Sequence, residues 1–256
     1  MSKKLEHAKK LYIEGILKGN YEEAIHQYTG DTYKQHSTGV FDGKEGFIQF
    51  FKDFTQRNPI RDIQIVRAFE DGRYVFIQAY QTLNHGEFQW VTTDFFDTDR
   101  HDKLIEHWDV ISAYEGKNKY GTDAINGETK IENLEQTHEH KKIVESFFKH
   151  VLLNHQYHHL DDYMATDVIN HYKDLNHSSM AFKHLLTDEK NPMTYQYVRL
   201  LIGQGNFVST LSLVRIGKTD MAQVDIFRLK DNKIVEHWIN NEEILSNVTD
   251  FNSGKF

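Results

Sequence analysis

The first half of the chain begins with helical periodicity. Apolar residues recur every three or four positions over residues 3–18, which predicts an amphipathic helix. A second, short helix is predicted near 21–28, and a third over about 44–56, after the turn-forming pair Asp42-Gly43. The predicted buried face of this third helix carries Phe47, Phe50, Phe51 and Phe54. Three helices with apolar faces require a further layer of structure to cover them.

The pattern then changes to short apolar runs separated by turn-forming sequences such as Asp71-Gly72 and Asn84-His85-Gly86. Strands are predicted near 61–70, 73–83, 87–97 and 103–113. Because the connections between them are short, consecutive strands should pair antiparallel.

The second half of the chain repeats the first. The run Lys103-Leu104-Ile105-Glu106-His107-Trp108 recurs as Lys233-Ile234-Val235-Glu236-His237-Trp238. Three further matches keep the same order: Gln35-His36 with Asn170-His171, Val66-Arg67 with Val198-Arg199, and Thr93-Asp94-Phe95-Phe96 with Val224-Asp225-Ile226-Phe227. Helices are predicted near 134–153, 156–163 and 178–187, and strands near 194–203, 206–216, 220–229 and 233–243. We interpret the chain as a tandem duplication.

The duplication predicts two domains, at 1–114 and 133–246. The segment 115–132 is rich in Gly, Asn, Lys and Glu and has little apolar periodicity, so it is predicted to be a linker. The residues 247–256 are predicted to form a loose tail. Each domain should be α+β, with three helices packed on an antiparallel sheet. If the sheet curves strongly, a pocket remains between the sheet and the helices.

Composition narrows the classes of function. The chain has 256 residues, no cysteine and a formal net charge of −8. The negative charge argues against nucleic-acid binding and against binding to an anionic membrane surface. No apolar run predicts a signal peptide or a membrane helix, so a cytoplasmic protein is expected. The absence of cysteine excludes a thiolate nucleophile and a disulfide scaffold.

The sequence around the repeat resembles a SnoaL-like domain of the nuclear-transport-factor-2-like (cystatin-like) superfamily, to which the SnoaL-like polyketide cyclases belong. The resemblance covers about residues 3–113 and rests on Gln35-His36, Phe41-Asp42-Gly43-Lys44-Glu45-Gly46, Asp94-Phe95-Phe96 and Ile105-Glu106-His107-Trp108-Asp109-Val110. The second half is less similar, because Ile239 stands where the first half has Asp109. The resemblance implies two cone-shaped domains, without fixing a reaction. This superfamily includes aldol cyclases, isomerases, epoxide hydrolases, dehydratases and proteins with no known catalysis.

By the same resemblance, a SnoaL-like cyclase uses an aspartate as acid and base, with a histidine nearby and no cofactor. The positions that carry over as catalytic candidates are Asp109, His107, Asp94 and His36. Since side chains alternate along a strand, His107 and Asp109 share one face. If that face is the pocket, burial among aromatic side chains raises the pKa of the carboxyl group, which suits proton abstraction beside a carbonyl. If the register is shifted by one residue, the same side chains serve only as hydrogen-bonded structure.

Further candidates are assigned to ligand binding: Tyr12, Tyr33, Arg67, Trp90, His171, Asp225 and His237. Arg67 and its repeat Arg199 could bind an anion or form a cross-strand ion pair. In the second half, Asp225 and His237 can be relics of the same site. Trp108 and Trp238 are interpreted as packing residues.

The histidine clusters at 138–140 and 155–159 lack a third ligand with convincing spacing, and no cofactor motif is present. We therefore expect neither a metal nor a cofactor.

Three hypotheses remain open from the sequence. The first is a cofactor-free acid–base enzyme (an aldol cyclase, isomerase or related lyase) acting on a small apolar carbonyl compound. The second is a pocket that binds a small ligand without turning it over. The third is a structural or interaction scaffold with filled pockets. The two domains are expected to pair through their sheets as a pseudo-dimer within one chain, which could then be monomeric.

Overall fold

A computed structural model describes residues 2–246 and 251–256. The chain divides into two compact units, one drawn from Met1–Tyr114 and Leu245–Phe256 and the other from Glu115–Ile244. Each unit contains one five-stranded sheet with helices packed on it, so the predicted α+β class and tandem arrangement are confirmed.

The first unit begins with helix α1 (Lys3–Lys10), whose amino end is capped by the Ser2 side chain, which accepts a hydrogen bond from the Leu5 N–H. The helix continues as a π-helical stretch over Leu11–Leu17. Such wider turns rotate the following side chains relative to a regular α-helix and are frequent at functional sites. Helices α2 (Tyr21–Tyr28) and α3 (Gly43–Arg57) complete the helical layer.

The sheet of the first unit has the strand order β1-β5-β4-β3-β2. Its strands are β1 (Thr29–Gln35), β2 (Arg61–Asp71), β3 (Tyr74–Leu83), β4 (Phe88–Thr98) and β5 (Leu104–Ala113). The four strands from β2 to β5 are antiparallel neighbours, as predicted. Strand β1 was not predicted, and it pairs parallel to β5. Its sequence is mostly polar, so hydrophobic alternation gives no signal for it.

The second unit repeats this order of elements. Its helices are α4 (Thr137–Phe147), which continues as a π-helical stretch over Phe148–Leu152, α5 (Leu160–Tyr163) and α6 (Ser179–Leu186). Its strands are β6 (Met164–His171), β7 (Met193–Gln204), β8 (Phe207–Ile216), β9 (Thr219–Lys230) and β10 (Lys233–Glu243). The sheet order, β6-β10-β9-β8-β7, is the same as in the first unit. Strand β6, which also pairs parallel, was not predicted either, because its apolar residues do not alternate with polar ones.

Each unit has its own apolar core between the helices and one face of the sheet. In the first unit the core includes Leu11, Tyr12, Phe47 and Phe96, and in the second it includes Phe147, Phe148, Phe182 and Phe227. Burial of one such aromatic side chain stabilises the fold by about 1.5–3 kcal/mol. The second core also contains Ile239, at the position that Asp109 occupies in the first unit.

The segments after the two sheets are packed. The 115–132 segment belongs to the second unit, where the backbone oxygen of Asn126 accepts a 2.9 Å hydrogen bond from Trp238. Residues 251–256 belong to the first unit, and Lys255 there is only 3% exposed. The prediction of a loose tail is therefore wrong for 251–256, because its polar groups are paired with the first unit. The remaining tail residues, 247–250, lie outside the described residues.

Within the described part of the chain, no helix combines the length and apolar character needed to cross a membrane. The pairing of the two sheets as a pseudo-dimer stays a prediction.

Candidate active site

A cavity of about 370 Å³ lies in the first unit, between the helices and the sheet. Its wall is largely apolar and includes Leu11, Ile16, Val40, Phe47, Phe50, Phe51, Phe54, Leu83, Phe88, Trp90, Phe96 and Ile111. Its polar lining includes Asp94, His107 and Asp109, which lie in the middle of the neighbouring strands β4 and β5. An apolar pocket with a few converging polar groups is the usual form of a small-molecule site.

The pairing of β4 with β5 explains why these side chains meet. Asp94 lies directly opposite Asp109, and Phe96 lies opposite His107. Residues that are opposite in an antiparallel pair project to the same face, so all four side chains enter the cavity. The sequence alone did not decide which face of β5 enters the pocket. In the structure, His107 and Asp109 point into the cavity, and Trp108 points to the other side of the sheet.

His107 is held in a fixed plane and a fixed tautomer. Its ring stacks between Phe96, at 4.5 Å, and Tyr33, at 6.4 Å between ring centroids. Its Nδ1 lies 2.7 Å from Oε1 of Gln35, an oxygen that also accepts the backbone N–H of His36. Nδ1 must therefore donate its proton to Gln35. The other ring nitrogen, Nε2, lies 2.9 Å from Oδ1 of Asp94.

Since Nδ1 carries one proton, the imidazole and Asp94 share a second proton between Nε2 and Oδ1. Either the acid donates to a neutral ring or an imidazolium donates to a carboxylate. Burial raises the pKa of Asp94, and the hydrogen bond from His107 only partly opposes that effect. The second oxygen of Asp94, Oδ2, is buried and makes no hydrogen bond of ordinary geometry among the described residues, although the nearby Tyr12 hydroxyl contributes to lowering the pKa of this carboxyl group.

Asp109 is in a different electrostatic environment. The Ser37 hydroxyl donates to Oδ2, and the Lys255 ammonium lies 3.1 Å from Oδ1. Burial alone would raise the pKa of Asp109, but the charges of Lys255 and His107 and the hydrogen bond from Ser37 outweigh burial and lower it. The cavity therefore contains one carboxyl group that keeps a proton readily and one that remains ionised.

Two tyrosines complete the polar end of the cavity. Burial raises the pKa of both Tyr12 and Tyr33 well above the ordinary value, so both hydroxyls remain neutral donors. The Tyr12 hydroxyl is 2.9 Å from Oγ1 of Thr92. The hydroxyl of Tyr33 is buried and has no hydrogen-bond partner among the described residues.

Most of the residues predicted for the first site line this cavity: Asp94, His107, Asp109, Tyr12, Tyr33 and Trp90. His36 and Arg67 do not line it. His36 lies on the opposite face, stacked on Trp108 at 4.9 Å with its Nε2 2.8 Å from Glu106. Arg67 is buried and donates to the side chain of Gln78 at 2.6 Å, so the predicted role in anion binding is not supported by its position.

Sequence reasoning missed Gln35, Ser37 and Lys255. The repeat had pointed to the pair Gln35-His36, but without strand β1 the inward-facing member could not be chosen. With β1 in place, alternation along Tyr33, Gln35 and Ser37 gives the correct face. No sequence signal links Lys255 to a carboxylate so distant along the chain.

The second unit has the same aspartate–histidine pair, but protein groups surround it. Oδ1 of Asp225 is 2.8 Å from Nε2 of His237 and also accepts the Tyr195 hydroxyl at 2.9 Å. Gln223 donates to both oxygens of Asp225 at 3.2 Å. The three candidates here, His171, Asp225 and His237, are thus occupied by protein groups, since His171 contacts Glu236 at 2.8 Å.

The donor atoms of Asp94, His107 and Asp109 lie within 4.8 Å of one another, and this is the one such group of three among residues 2–246 and 251–256. We do not assign them as metal ligands. Asp94 and His107 direct Oδ1 and Nε2 toward each other, and Asp109 already has the Lys255 cation beside it.

The family model described as "SnoaL-like domain" matches residues 10–107. No curated protein sequence matches the chain. Solved structures that are similar include a protein assigned as a polyketide cyclase from Bacillus cereus, with 20% identity, a TM-score of 0.39, and coverage of 43% of this chain and 74% of the other.

A protein assigned as a ketosteroid isomerase from Kribbella flavida is 11% identical, with a TM-score of 0.38 and coverage of 43% and 83%. An LEH-like epoxide hydrolase from M. tuberculosis is 14% identical, with a TM-score of 0.36 and coverage of 43% and 83%. The chain carries two α+β domains with the same strand order, and residues 10–107, in the first of them, match the SnoaL-like domain family.

Proposed function

We propose that the first unit is a cofactor-independent acid–base enzyme that moves a proton on a small, mostly apolar carbonyl compound. The shape and lining of the cavity support this proposal. Its apolar wall suits a hydrocarbon body, and its polar end suits one carbonyl group.

The observation that carries the proposal is a pair of unsatisfied polar atoms on side chains that line the cavity. Oδ2 of Asp94 and the hydroxyl oxygen of Tyr33 are both buried without a partner among the described residues. Buried polar atoms are usually hydrogen-bonded, and an exception in a pocket points to a ligand that supplies the partner. A neutral hydroxyl is a donor for a carbonyl oxygen, and the carboxyl oxygen can accept a proton from an adjacent carbon.

The chemistry follows from these two atoms. With the shared proton on Nε2 of His107, Asp94 is a carboxylate, and its Oδ2 takes a proton from the carbon next to the carbonyl group. The C–H bond breaks, an O–H bond forms on Asp94, and the electron pair moves to the carbonyl oxygen. The Tyr33 hydroxyl stabilises the resulting enolate by a hydrogen bond.

The enolate can then react in two ways. If Asp94 returns the proton to a different carbon, the product is an isomer. If the enolate carbon attacks a second carbonyl group of the same molecule, a C–C bond forms as the C=O π bond of that group breaks. The resulting alkoxide takes the proton from Asp94, so that a ring closes by aldol addition. Both routes need no metal or cofactor, and general acid–base catalysis of this kind contributes about 10²–10⁴-fold to the rate.

Exchange of α-hydrogens tests the proposal without knowledge of the natural substrate. The probe is 2-tetralone in deuterated buffer, and the rate of deuterium incorporation is measured by NMR. We expect the wild-type protein to accelerate exchange and Asp94→Asn to abolish the acceleration. The matched control is Asp225→Asn, which changes the equivalent carboxylate of the second unit and should leave the rate unchanged. Equal rates for wild type and Asp94→Asn would refute the proposal.

The alternative is a binding protein that holds a small ligand without turnover, and the same open cavity supports it. It predicts that 2-tetralone binds, as detected by perturbation of cavity resonances, while α-hydrogen exchange stays at the rate in buffer. The scaffold hypothesis suits the second unit better, because its Asp225 and His237 are enclosed by protein groups.

A further inference from the structure

The last residues of the chain contribute a buried cation beside the cavity. Lys255 is 3% exposed, and its Nζ lies 3.0 Å from the backbone oxygen and 3.1 Å from Oδ1 of Asp109. The segment that carries it is held in place by Asn252, whose side chain donates to the backbone oxygens of Ser37 and Val40 at 2.7 Å each. The backbone oxygen of Gly254 accepts a hydrogen bond from His36.

The second unit contains an internal comparison. The backbone oxygen of Asp123 contacts Nδ1 of His171 at 2.9 Å, just as that of Gly254 contacts Nδ1 of His36. The residue that follows this contact is Ala124 in the second unit and Lys255 in the first. The residue in the place of Asp109 is Ile239. The first unit therefore has both charged residues, Lys255 and Asp109, and the second unit has neither at the equivalent positions.

There is a physical reason why the lysine and the aspartate occur together in one unit and are both missing from the other. A buried charge without a counter-charge is costly, so each member of the pair requires the other. Lysine buried at such a position also loses side-chain entropy, and this loss needs a compensating interaction. The ion pair with Asp109 provides that interaction.

We infer that Lys255 is a positioning residue that holds Asp109 as a carboxylate, so that Asp94 and His107 alone exchange protons with a ligand. The inference rests on the function proposed above. It explains why two carboxyl groups directly opposite each other on β4 and β5 can have different protonation states. Asp109 is paired with the Lys255 ammonium, and Asp94 is available to a ligand.

Several ionisable groups face Asp109. They are Tyr12 from the π-helical stretch after α1, Tyr33 from β1, Asp94 from β4, His107 from β5 and Lys255 from the terminal segment. The tyrosines stay neutral, and the charge of His107 depends on the proton it shares with Asp94. Lys255 is the member of this group whose positive charge does not depend on that shared proton.

The direct test is the titration of Asp109, followed by carboxyl ¹³C NMR and assigned with Asp109→Asn. In Lys255→Met the midpoint should rise by about one pH unit or more, since a nearby opposite charge lowers a carboxyl pKa by about 1–3 units. The control is Lys10→Met, which removes an exposed ammonium paired with Glu6. It should leave the Asp109 midpoint in place. An unchanged midpoint in Lys255→Met would overturn the inference, whatever the exchange assay shows.

A second test uses stability and remains informative if Lys255→Met folds poorly. Asp109→Ile and Lys255→Ala are each expected to lower the thermal unfolding midpoint, because each leaves one buried charge alone. The double variant reproduces the residues of the second unit and should unfold at a higher temperature than either single variant. Additive losses in the double variant would contradict the pairing.

The exchange assay separates this inference from the proposed function. In Lys255→Met the acid limb of the rate profile should move to higher pH, because a positive charge near the Asp94–His107 pair has been removed. A role of Lys255 in folding alone would lower the amount of active protein without moving the limb. If Asp94→Asn retains exchange, the proposed function fails, while the Asp109 titration still decides the role of Lys255.

Discussion

Asp94 and Asp109 are the same residue type, a few ångströms apart, with opposite electrostatic surroundings. Asp94 directs one oxygen toward His107, and its other oxygen makes no hydrogen bond of ordinary geometry within residues 2–246 and 251–256. Asp109 has a hydroxyl on one oxygen and an ammonium on the other. Pairs of carboxyl groups whose surroundings push their pKa values apart commonly divide the roles of proton carrier and fixed charge. We therefore propose Asp94, and not Asp109, as the base in the first unit.

Tyr33→Phe tests the donor assigned to the ligand oxygen. Because the hydroxyl makes no hydrogen bond of ordinary geometry among the described residues, its removal should change the unfolding temperature little, or raise it slightly. The rate of α-hydrogen exchange should fall about 10²-fold, the size expected for one lost donor to an oxyanion. Calorimetry and the NMR exchange assay measure the two effects on the same sample. A large loss of stability with unchanged exchange would show that the hydroxyl is structural.

The pH dependence of exchange reports the proton shared by Asp94 and His107. Exchange requires Asp94 as a carboxylate, and burial raises its pKa. The rate should therefore increase with pH through a midpoint above the ordinary carboxyl value of about 3.9. A midpoint at or below the ordinary value would indicate that Asp109, whose pKa is lowered, acts as the base instead.

Asp109 should also affect stability in a pH-dependent way. Its pKa is lower in the folded protein than in the unfolded chain, so its carboxylate stabilises the fold above the unfolded value. This stability is lost as the pH falls through the lowered folded value. Asp109→Asn should cost about 3 kcal/mol at neutral pH, because Lys255 is left unpaired. Urea unfolding at several pH values should show the cost shrinking in acid, and a constant cost would contradict the ion pair.

The elements around the cavity differ in how far the sequence predicts them. The three helices and the strands from β2 to β5 have clear periodicity, and they were predicted at nearly their observed bounds. Strand β1 was not, because its pairing with β5 is parallel and it carries few apolar residues. The π-helical character of Leu11–Leu17 was also not predicted, since the apolar spacing of this stretch is compatible with an α-helix.

Helix α3 supplies the aromatic wall of the cavity, and its position depends on Gly46. A Cβ atom at this position would lie 2.0 Å from the backbone oxygen of Phe41. Gly46→Ala should therefore displace the start of α3 and lower the unfolding free energy by about 1–3 kcal/mol, the usual cost of overpacking. Lys44→Ala, on the same helical turn, is the control and should be close to neutral. Equal unfolding curves for Gly46→Ala and wild type would refute this account of the contact.

At the scale of the whole molecule, the duplication is symmetric in its fold and asymmetric in its chemistry. Both units keep the acid and the imidazole on the two neighbouring inner strands. The second unit replaces Asp109 by Ile239 and satisfies Asp225 with Tyr195 and Gln223. The sequence repeat was sufficient to predict the two sheets. It could not predict that the C-terminal residues 251–256 belong to the first unit, because such contacts depend on distant partners that leave no local pattern.

Asp225→Asn tests this asymmetry. The hydroxyl of Tyr195 and the amide of Gln223 donate to the carboxylate, so an amide nitrogen in its place would face donors. We expect a loss of about 1–3 kcal/mol in the unfolding free energy, as for other disrupted buried hydrogen bonds. The α-hydrogen exchange rate should be unchanged at a temperature where the variant is folded. A loss of exchange without a loss of stability would place catalysis in the second unit.

The most direct measurement of the central claim is a crystal structure of the protein with 2-naphthol, a planar apolar compound whose hydroxyl group imitates an enol. We expect the rings to lie against the aromatic wall of the first unit's cavity. We also expect the naphthol oxygen within hydrogen-bond distance of the Tyr33 hydroxyl and Oδ2 of Asp94. Naphthol bound in this cavity with its oxygen directed away from both atoms, or bound only outside it, would contradict the account.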